Sequence, residues 1–284
     1  MLSKILVPVR GDGKGDNVLA HAAALAHRYK AHIEVAHCRA RPEDLMPFGV
    51  PLPSFARDLL IQQAYQVADQ EEAKLRAELH ALAGQLGLSE TDPPHGDTAT
   101  VSFIEEQGRM VDVIKSHGRL ADLIAVPKPD RDRNIGSNSL KAALFRTGRP
   151  VLMCPETGGV PADFGAHVTV GWNGSLEASR AVAMALPLID GADRVTILTG
   201  GSGEPHGATT EELVAYLALR SIAAEVRRFD TRSPGQGLLN ETRAAGASML
   251  IMGAYGDSHE RETLFGGNTQ TVVDDATVPV VLVH

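Results

Sequence analysis

The residues best suited to chemistry lie in the last forty: Gly253-Ala254-Tyr255-Gly256, nine residues of mostly polar chain, then Gly266-Gly267-Asn268-Thr269. The apolar run Met249-Leu250-Ile251-Met252 leads into them, and Val278-Pro279-Val280-Val281-Leu282-Val283 follows. That order predicts a strand, a glycine-punctuated loop, a helix and a last strand. A glycine loop between a strand end and a helix start can receive phosphate, because the first helical N–H groups have no intrahelical acceptor and the helix dipole favours negative charge there. Taken alone, Gly253 and Gly256 read more readily as turn residues.

The elements that would position this loop occur twice. Lys4-Ile5-Leu6-Val7-Pro8-Val9, a Gly/Asp turn and an Ala-rich helix through Leu19, Ala22, Ala23 and Ala26 correspond to His167-Val168-Thr169-Val170-Gly171-Trp172, the turn Asn173-Gly174-Ser175, and a helix through Ala178, Val182, Ala185 and Leu186. His32–His37 corresponds to Arg194–Leu198, Ala121–Val126 to Ala247–Met252, and Arg149–Met153 to Val278–Leu282. Four pairings in one order indicate an internal repeat. Two domains follow, 1–156 and 165–284, joined near Glu156-Thr157-Gly158-Gly159-Val160-Pro161, a Gly/Pro stretch suited to a linker.

Short Val/Ile/Leu-rich strands alternate with helices, which predicts an α/β fold: two tandem doubly wound domains, each with a parallel sheet flanked by helices. The second half reads as strands at 167–172, 194–199, 224–229, 248–252 and 279–283. Helices fall between them at 175–190, 208–222, 235–246 and 267–276. Ser175 is placed to cap the first of these helices, with Glu177 in its first turn. In the first half, residues 39–54 hold four prolines and precede a long helix over 55–86 with apolar positions at Leu60, Ala64, Val67, Leu75, Leu79 and Leu82.

Composition narrows the function classes. Net charge is -8 across 284 residues, with no long Lys/Arg run, so nucleic acid is not an expected partner. No apolar stretch reaches membrane-spanning length and no signal-peptide run opens the chain, so no membrane partner and a cytoplasmic location are expected. Cys38 and Cys154 read as free buried thiols, and no His/Cys group has zinc-ligand spacing. His21, His27, His32 and His37 read as surface or helix-face residues. Gly11-Asp12-Gly13-Lys14-Gly15 lacks the Gly-Lys-Ser/Thr of a phosphate loop. There is no Gly-x-Ser-x-Gly elbow and no acid/base pair that can be placed at the loop, so no catalytic residue is assigned and no enzyme is expected.

The Gly-x2-Gly-x9-Gly segment after the fourth strand, the Asn173-Gly174-Ser175 turn and the closing Val278–Val283 together resemble the universal stress protein family, as a tandem member over the full chain. The resemblance implies a five-stranded sheet in each domain, ordered 3-2-1-4-5, with ATP, alone or with Mg, at the C-terminal ends of strands 1 and 4, where such sheets bind ligands. It assigns the nucleotide to Asn173, Gly253, Gly256, Gly266, Gly267, Asn268 and Thr269, and makes the protein a stress-response protein using an adenine nucleotide as a regulatory ligand. A nucleotide-free scaffold and a weak ATP hydrolase are the alternatives, and the protein partner is unspecified. Gly267 stands where the family usually has Ser or Thr, and Asn173 where it commonly has Asp. In the first half Pro127 and Asp130 replace the two leading glycines, which implies a degenerate site. Gly136-Ser137 keeps the helix start, and Lys128, Arg131 and Arg133 read as a solvated cationic loop. The implied order sets Cys38 and Cys154 three strand positions apart, roughly 14 Å, too far for a disulfide. The closing strands, 150–154 and 279–283, would be edges, able to pair with each other as an internal pseudo-dimer or to form a homodimer.

Overall fold

The computed structural model describes residues 1–9, 15–39, 54–91, 96–130, 136–200, 207–255 and 267–284. The N-terminal half contains β1 (Lys4–Val9), α1 (Gly15–Tyr29), β2 (His32–Arg39), α2 (Ser54–Gln85), β3 (Ser89–Glu90), β4 (Thr100–Gln107), α3 (Met110–Gly118), β5 (Leu123–Pro127), α4 (Ser137–Arg146) and β6 (Val151–Cys154). The C-terminal half contains β7 (His167–Gly171), α5 (Leu176–Met184), α6 (Leu186–Asp190), β8 (Arg194–Gly200), α7 (Thr210–Ala218), β9 (Ala224–Phe229), α8 (Pro234–Ala244), β10 (Met249–Gly253), α9 (Gly267–Asp275) and β11 (Val280–Val283).

The strands form one eleven-stranded sheet, ordered β3-β4-β2-β1-β5-β6-β11-β10-β7-β8-β9. Within each half the pairing is parallel. Where the halves meet, β6 and β11 run antiparallel, with Val280 opposite Met153, Val281 opposite Leu152 and Leu282 opposite Val151. The expectation of closing strands as edges is therefore met in one of its two forms: they pair with each other and become the centre of the sheet. Each has its other side on β5 or β10, so a homodimer through these strands has no free edge to use. The real edges are blunt. β3 has two exposed residues and adds a sixth strand to the N-terminal half, while β9 carries Glu225, Arg227 and Arg228.

The sequence of each strand accounts for its place. β5, β6, β10 and β11 are nearly continuous apolar runs, as strands covered on both faces require. Pro8 is tolerated in β1 because the pairing with β5, Ile5 to Leu123 and Leu6 to Ile124, ends before it. One buried apolar cluster, with Leu19, Ile33, Val170 and Ile197, covers one face across both halves, and a second, with Ile114, Leu140, Leu250 and Val272, covers the other. No helix among the described residues is long and apolar enough to cross a membrane.

Several expectations are corrected. The single helix over 175–190 is two, because Pro187, the second residue of α6, has no N–H with which to continue the helix that ends at Met184. In α2, Leu79 is buried but Leu60 is 44% exposed, so the apolar periodicity marks a core face only toward the helix C-terminus. Of the histidines expected on the surface or on a helix face, His21 in α1 and His32 in β2 are buried. His21 donates its Nδ1–H to the Asn17 carbonyl, 2.7 Å away, and sits edge-on to Phe164; burial lowers its pKa. His32 bridges the Thr100 and Ser102 hydroxyls at 2.8 and 2.9 Å. Cys154 is fully buried and its thiol pKa is pushed upward by desolvation, while Cys38 is half-buried and three strands away; the two are not joined by a disulfide.

A charged clasp holds α2 to the sheet. The Arg39 guanidinium meets Asp69 at 2.5 Å, Glu72 at 3.0 Å and Glu105 at 3.9 Å, and Arg76 reaches Glu105 at 3.2 Å. Burial, and then the neighbouring Glu105, raise the Glu72 pKa above the usual carboxylate range. Replacing Arg39 with Met leaves Glu72 and Glu105 facing each other with Arg76 alone as a cation and should cost about 3 kcal/mol at neutral pH. Because the folded-state pKa of Glu72 is the raised one, its ionised form disfavours folding. The deficit should therefore shrink as pH falls into the carboxylate range and Glu72 takes up a proton. Urea unfolding of Arg39→Met at pH 7 and pH 4.5 measures both; an equal deficit at both values would contradict this account.

A second expectation concerns the seam. Leu152 and Val281, both fully buried, should be among the last amides to exchange with solvent, far behind those of β9, in hydrogen-exchange measurements on the full chain. Exchange of the β6 and β11 amides at the rate of an edge strand would show that the two halves part readily.

A candidate nucleotide cleft in the C-terminal half

The C-terminal ends of β7 and β10 diverge around a cleft of about 590 Å³. Its rim begins where β7 stops. The Trp172 N–H still donates to the Leu198 carbonyl at 2.8 Å, and then the chain turns. Asn173 Oδ1 accepts from the Ser175 N–H at 3.1 Å, and Gly174 takes φ +75°. A side chain at Gly174 would also lie 2.6 Å from the Ala208 carbonyl, so this turn requires glycine twice over. Ser175 caps α5 as expected, its Oγ accepting from Ala178 N–H at 3.2 Å.

The second wall comes from β10 and α9. Ala254 N–H donates to the Val283 carbonyl at 2.7 Å, and Tyr255 then takes φ +58°, a conformation that costs a non-glycine residue about 1–2 kcal/mol. Its N–H donates to Thr269 Oγ1 at 3.2 Å, which ties this turn to the first turn of α9. The Tyr255 ring lies 5.1 Å from that of Phe145 in α4, across the seam. Burial pushes its phenol pKa up to about 12, so it stays protonated at neutral pH.

Of the seven residues assigned from sequence, Asn173, Gly253, Gly267, Asn268 and Thr269 line this one cleft. Gly256 and Gly266 lie outside the described residues. The structure also gives several of these residues internal duties. A Cβ at Gly253 would lie 2.5 Å from the Glu177 carbonyl carbon and 2.7 Å from Ala178 N, so it is the protein's own α5 that approaches this glycine most closely. Asn268 Oδ1 faces the Gly235 N–H at 3.4 Å, and Thr269 Oγ1 serves Tyr255. What remains for a ligand are the backbone N–H groups that open α9 and the amide Nδ2 groups of Asn173 and Asn268.

Sequence reading missed Trp172, Phe229, Leu238 and Tyr255, which also line the cleft. Trp172 is 6% exposed, and its buried Nε1–H meets no acceptor among the described residues. It directly follows the β7 run, which was the available signal. Phe229 has a subtler one: a Cβ at Gly200 or Gly237 would come within 2.5 Å of its ring, so two glycines make room for one aromatic side chain. No Lys or Arg lines the cleft among the described residues, and Glu177 is its one carboxylate there. The described residues contain no group of three His, Cys, Asp or Glu able to hold a metal ion.

The matching position in the N-terminal half is built differently. Lys128 N–H donates to the Cys154 carbonyl, and its ammonium crosses the seam to the Ala276 carbonyl at 3.1 Å, just beyond the C-terminal end of α9. This cation therefore neutralises a helix end in the other half instead of standing in a solvated loop. Gly136, at φ +88°, caps α4, and a Cβ there would meet Pro129 Cα at 3.3 Å. Arg131 and Arg133 lie outside the described residues.

Comparison with known proteins fits this geometry. The sequence model of the universal stress protein family matches residues 166–284, which contain the whole cleft. No curated protein matches the chain. Among solved structures, a universal stress protein from Archaeoglobus fulgidus superposes at a TM-score of 0.71 and 17% identity, over 99% of this chain and 97% of that one. A candidate universal stress protein from Pseudomonas aeruginosa does so at 0.57 and 14%, over 99% and 93%. The cytoplasmic domain of a prokaryotic cation chloride cotransporter matches at 0.54 and 13%, over 99% and 95%, so the two-half architecture also occurs as part of a transporter. At these identities the likeness is one of fold. The likeness to the universal stress protein family thus rests, in sequence, on residues 166–284, which are less than half of the chain.

Proposed function

We propose that the C-terminal half binds an adenine nucleotide in the cleft between β7 and β10, as a regulatory ligand of a stress-response protein. The observation that carries this reading is the convergence, in one cleft, of the Asn173 turn, the end of β10 and the first turn of α9. Strand order reverses here, between β10 and β8 on either side of β7, which is where open α/β sheets take ligands. The apolar wall of Trp172, Leu198, Phe229 and Leu238 suits a planar base, and the α9 N–H groups suit phosphate. The ionisable side chains in the described lining are Glu177 and Tyr255, and the tyrosine holds its proton. That favours a ligand that is bound and released over a substrate that is turned over.

A specific observation favours the scaffold reading as the second choice. Gly253, Asn268 and Thr269 all have structural work in the protein itself, so each could persist without a ligand. Asn268→Glu separates the two. Asn268 is exposed, and a carboxylate at the start of α9 should favour the helix by about 0.3–1 kcal/mol, leaving the melting temperature unchanged or slightly raised. The same carboxylate occupies the phosphate position and should weaken AMP and ATP binding at least about tenfold. Calorimetric titration of the wild type and the variant reads this. Nucleotide affinity equal in both would move the ligand elsewhere, and no heat from the wild type at millimolar nucleotide would leave the scaffold.

A further inference from the structure

Resting on that nucleotide reading and extending it, we propose that Phe145, from the N-terminal half, is a positioning residue for the C-terminal cleft. Its ring holds Tyr255 in the left-handed conformation by which the end of β10 is tied to the start of α9. The backbone of Tyr255 carries the inference. Among the described residues, three that are not glycine have φ in the left-handed region: Lys30 at 56°, Ser221 at 61° and Tyr255 at 58°. The first two have an ordinary reason. Each lies just beyond a helix, and the next amide returns to that helix, Ala31 N–H to the Ala26 carbonyl and Ile222 N–H to the Leu217 carbonyl. Tyr255 follows a strand, so no helix end accounts for its conformation. Backbone strain of this kind persists only where the surroundings fix it, and it gathers at ligand clamps and switch regions.

The groups that fix Tyr255 come from both halves. Its N–H is committed to Thr269 Oγ1 at 3.2 Å, so its backbone sets where the first turn of α9 meets the cleft. Ala254, just before it, donates its N–H to the Val283 carbonyl, and its own carbonyl accepts from His284 Nδ1–H at 3.2 Å. The side chain is held by rings. Phe145 lies 5.1 Å from Tyr255 and 4.7 Å from His284, while those two are 6.4 Å apart, so Phe145 is the ring that closes the group. Glycine would take this φ freely. Tyrosine supplies a ring instead, and that ring meets the other half of the molecule. Phe145 suits the task because its base is fixed: Ala142, Ala143 and Leu144 are buried, and Thr147 donates its hydroxyl to the Ala143 carbonyl at the end of α4. It is also 37% exposed, so it adds little to the core and its truncation should leave the fold intact. A displacement of α4 would reach the cleft through this pair of rings.

The test uses the full chain with AMP as the probe, read by calorimetry and by the fluorescence of the single tryptophan, Trp172, which lines the cleft. Phe145→Ala should melt within about 4 °C of the wild type and bind AMP at least about fivefold more weakly. Phe145→Tyr, which keeps the ring, should restore the affinity. In a Tyr255→Gly background, where glycine takes the left-handed φ unaided, Phe145→Ala should weaken AMP binding no further. Without ligand, the Tyr255 and Thr269 amides should exchange with solvent faster in Phe145→Ala than in the wild type, and the Leu198 amide at the same rate. If Phe145→Ala fails to fold, Phe145→Leu, apolar but without the ring, reads the same loss. AMP affinity unchanged on removal of the ring, or an equal loss in the Tyr255→Gly background, overturns the role of Phe145 while the nucleotide reading stands. No AMP binding by the wild type overturns that reading, and this role with it.

Discussion

β6 and β11 pair antiparallel through Val151–Met153 and Val280–Leu282, and the rest of the molecule is arranged around that pairing. A parallel sheet of five or six strands ends in a strand with unpaired N–H and C=O groups, and in this chain those strands are fully apolar. Joining them satisfies both rows of backbone groups and turns two exposed edges into the middle of one sheet. The helices of both halves then cover common faces, so each buried cluster runs through the whole chain. Secondary contacts fasten the same joint. Arg28 of α1 donates twice to the Gly191 carbonyl and reaches Asp193, and the Tyr29 ring fills the space that a side chain at Gly191 would need.

The two halves, alike in order, end their matching strands β5 and β10 differently. At the end of β10, Gly253 lets α5 close against the strand and Tyr255 turns into the left-handed region, so a cleft forms before α9 begins. At the end of β5, Pro127 and Pro129 fix the backbone, and Pro129 lies against the glycine that caps α4. The chain there is directed at the seam, where Lys128 caps the far end of α9. One half thus presents a helix start, and the other secures that helix from behind.

Most of this architecture was legible in the sequence because it depends on local signals. Continuous apolar runs marked the buried strands, Asn173-Gly174-Ser175 marked the turn and cap, and five of seven assigned site residues line one cleft. Other features were set by tertiary context, which periodicity does not encode. His21 and His32 are buried because Phe164, Thr100 and Ser102 come from distant parts of the chain to meet them. Lys128 looked like a solvated cation, since its acceptor lies 148 residues away. Phe229 entered the cleft only because Gly200 and Gly237 make room, a relation invisible until three elements are brought together. The extra strand at Ser89–Glu90 is two residues long, too short for any alternation to announce it.

Helix α9 connects these threads. Its first turn holds Tyr255 through Thr269, and the carbonyl beyond its last turn is held by Lys128, so its two ends report to different halves. The Tyr255 ring adds a third tie, packing on Phe145 of α4, which in turn meets His284 at 4.7 Å. A ligand at the start of α9 would therefore press on a helix whose opposite end and nearest aromatic neighbour belong to the N-terminal half. The N-terminal half is thus the support against which the C-terminal cleft is built. A regulatory ligand needs such a support, because binding energy changes a distant surface only where the bound element packs against something that can respond to it.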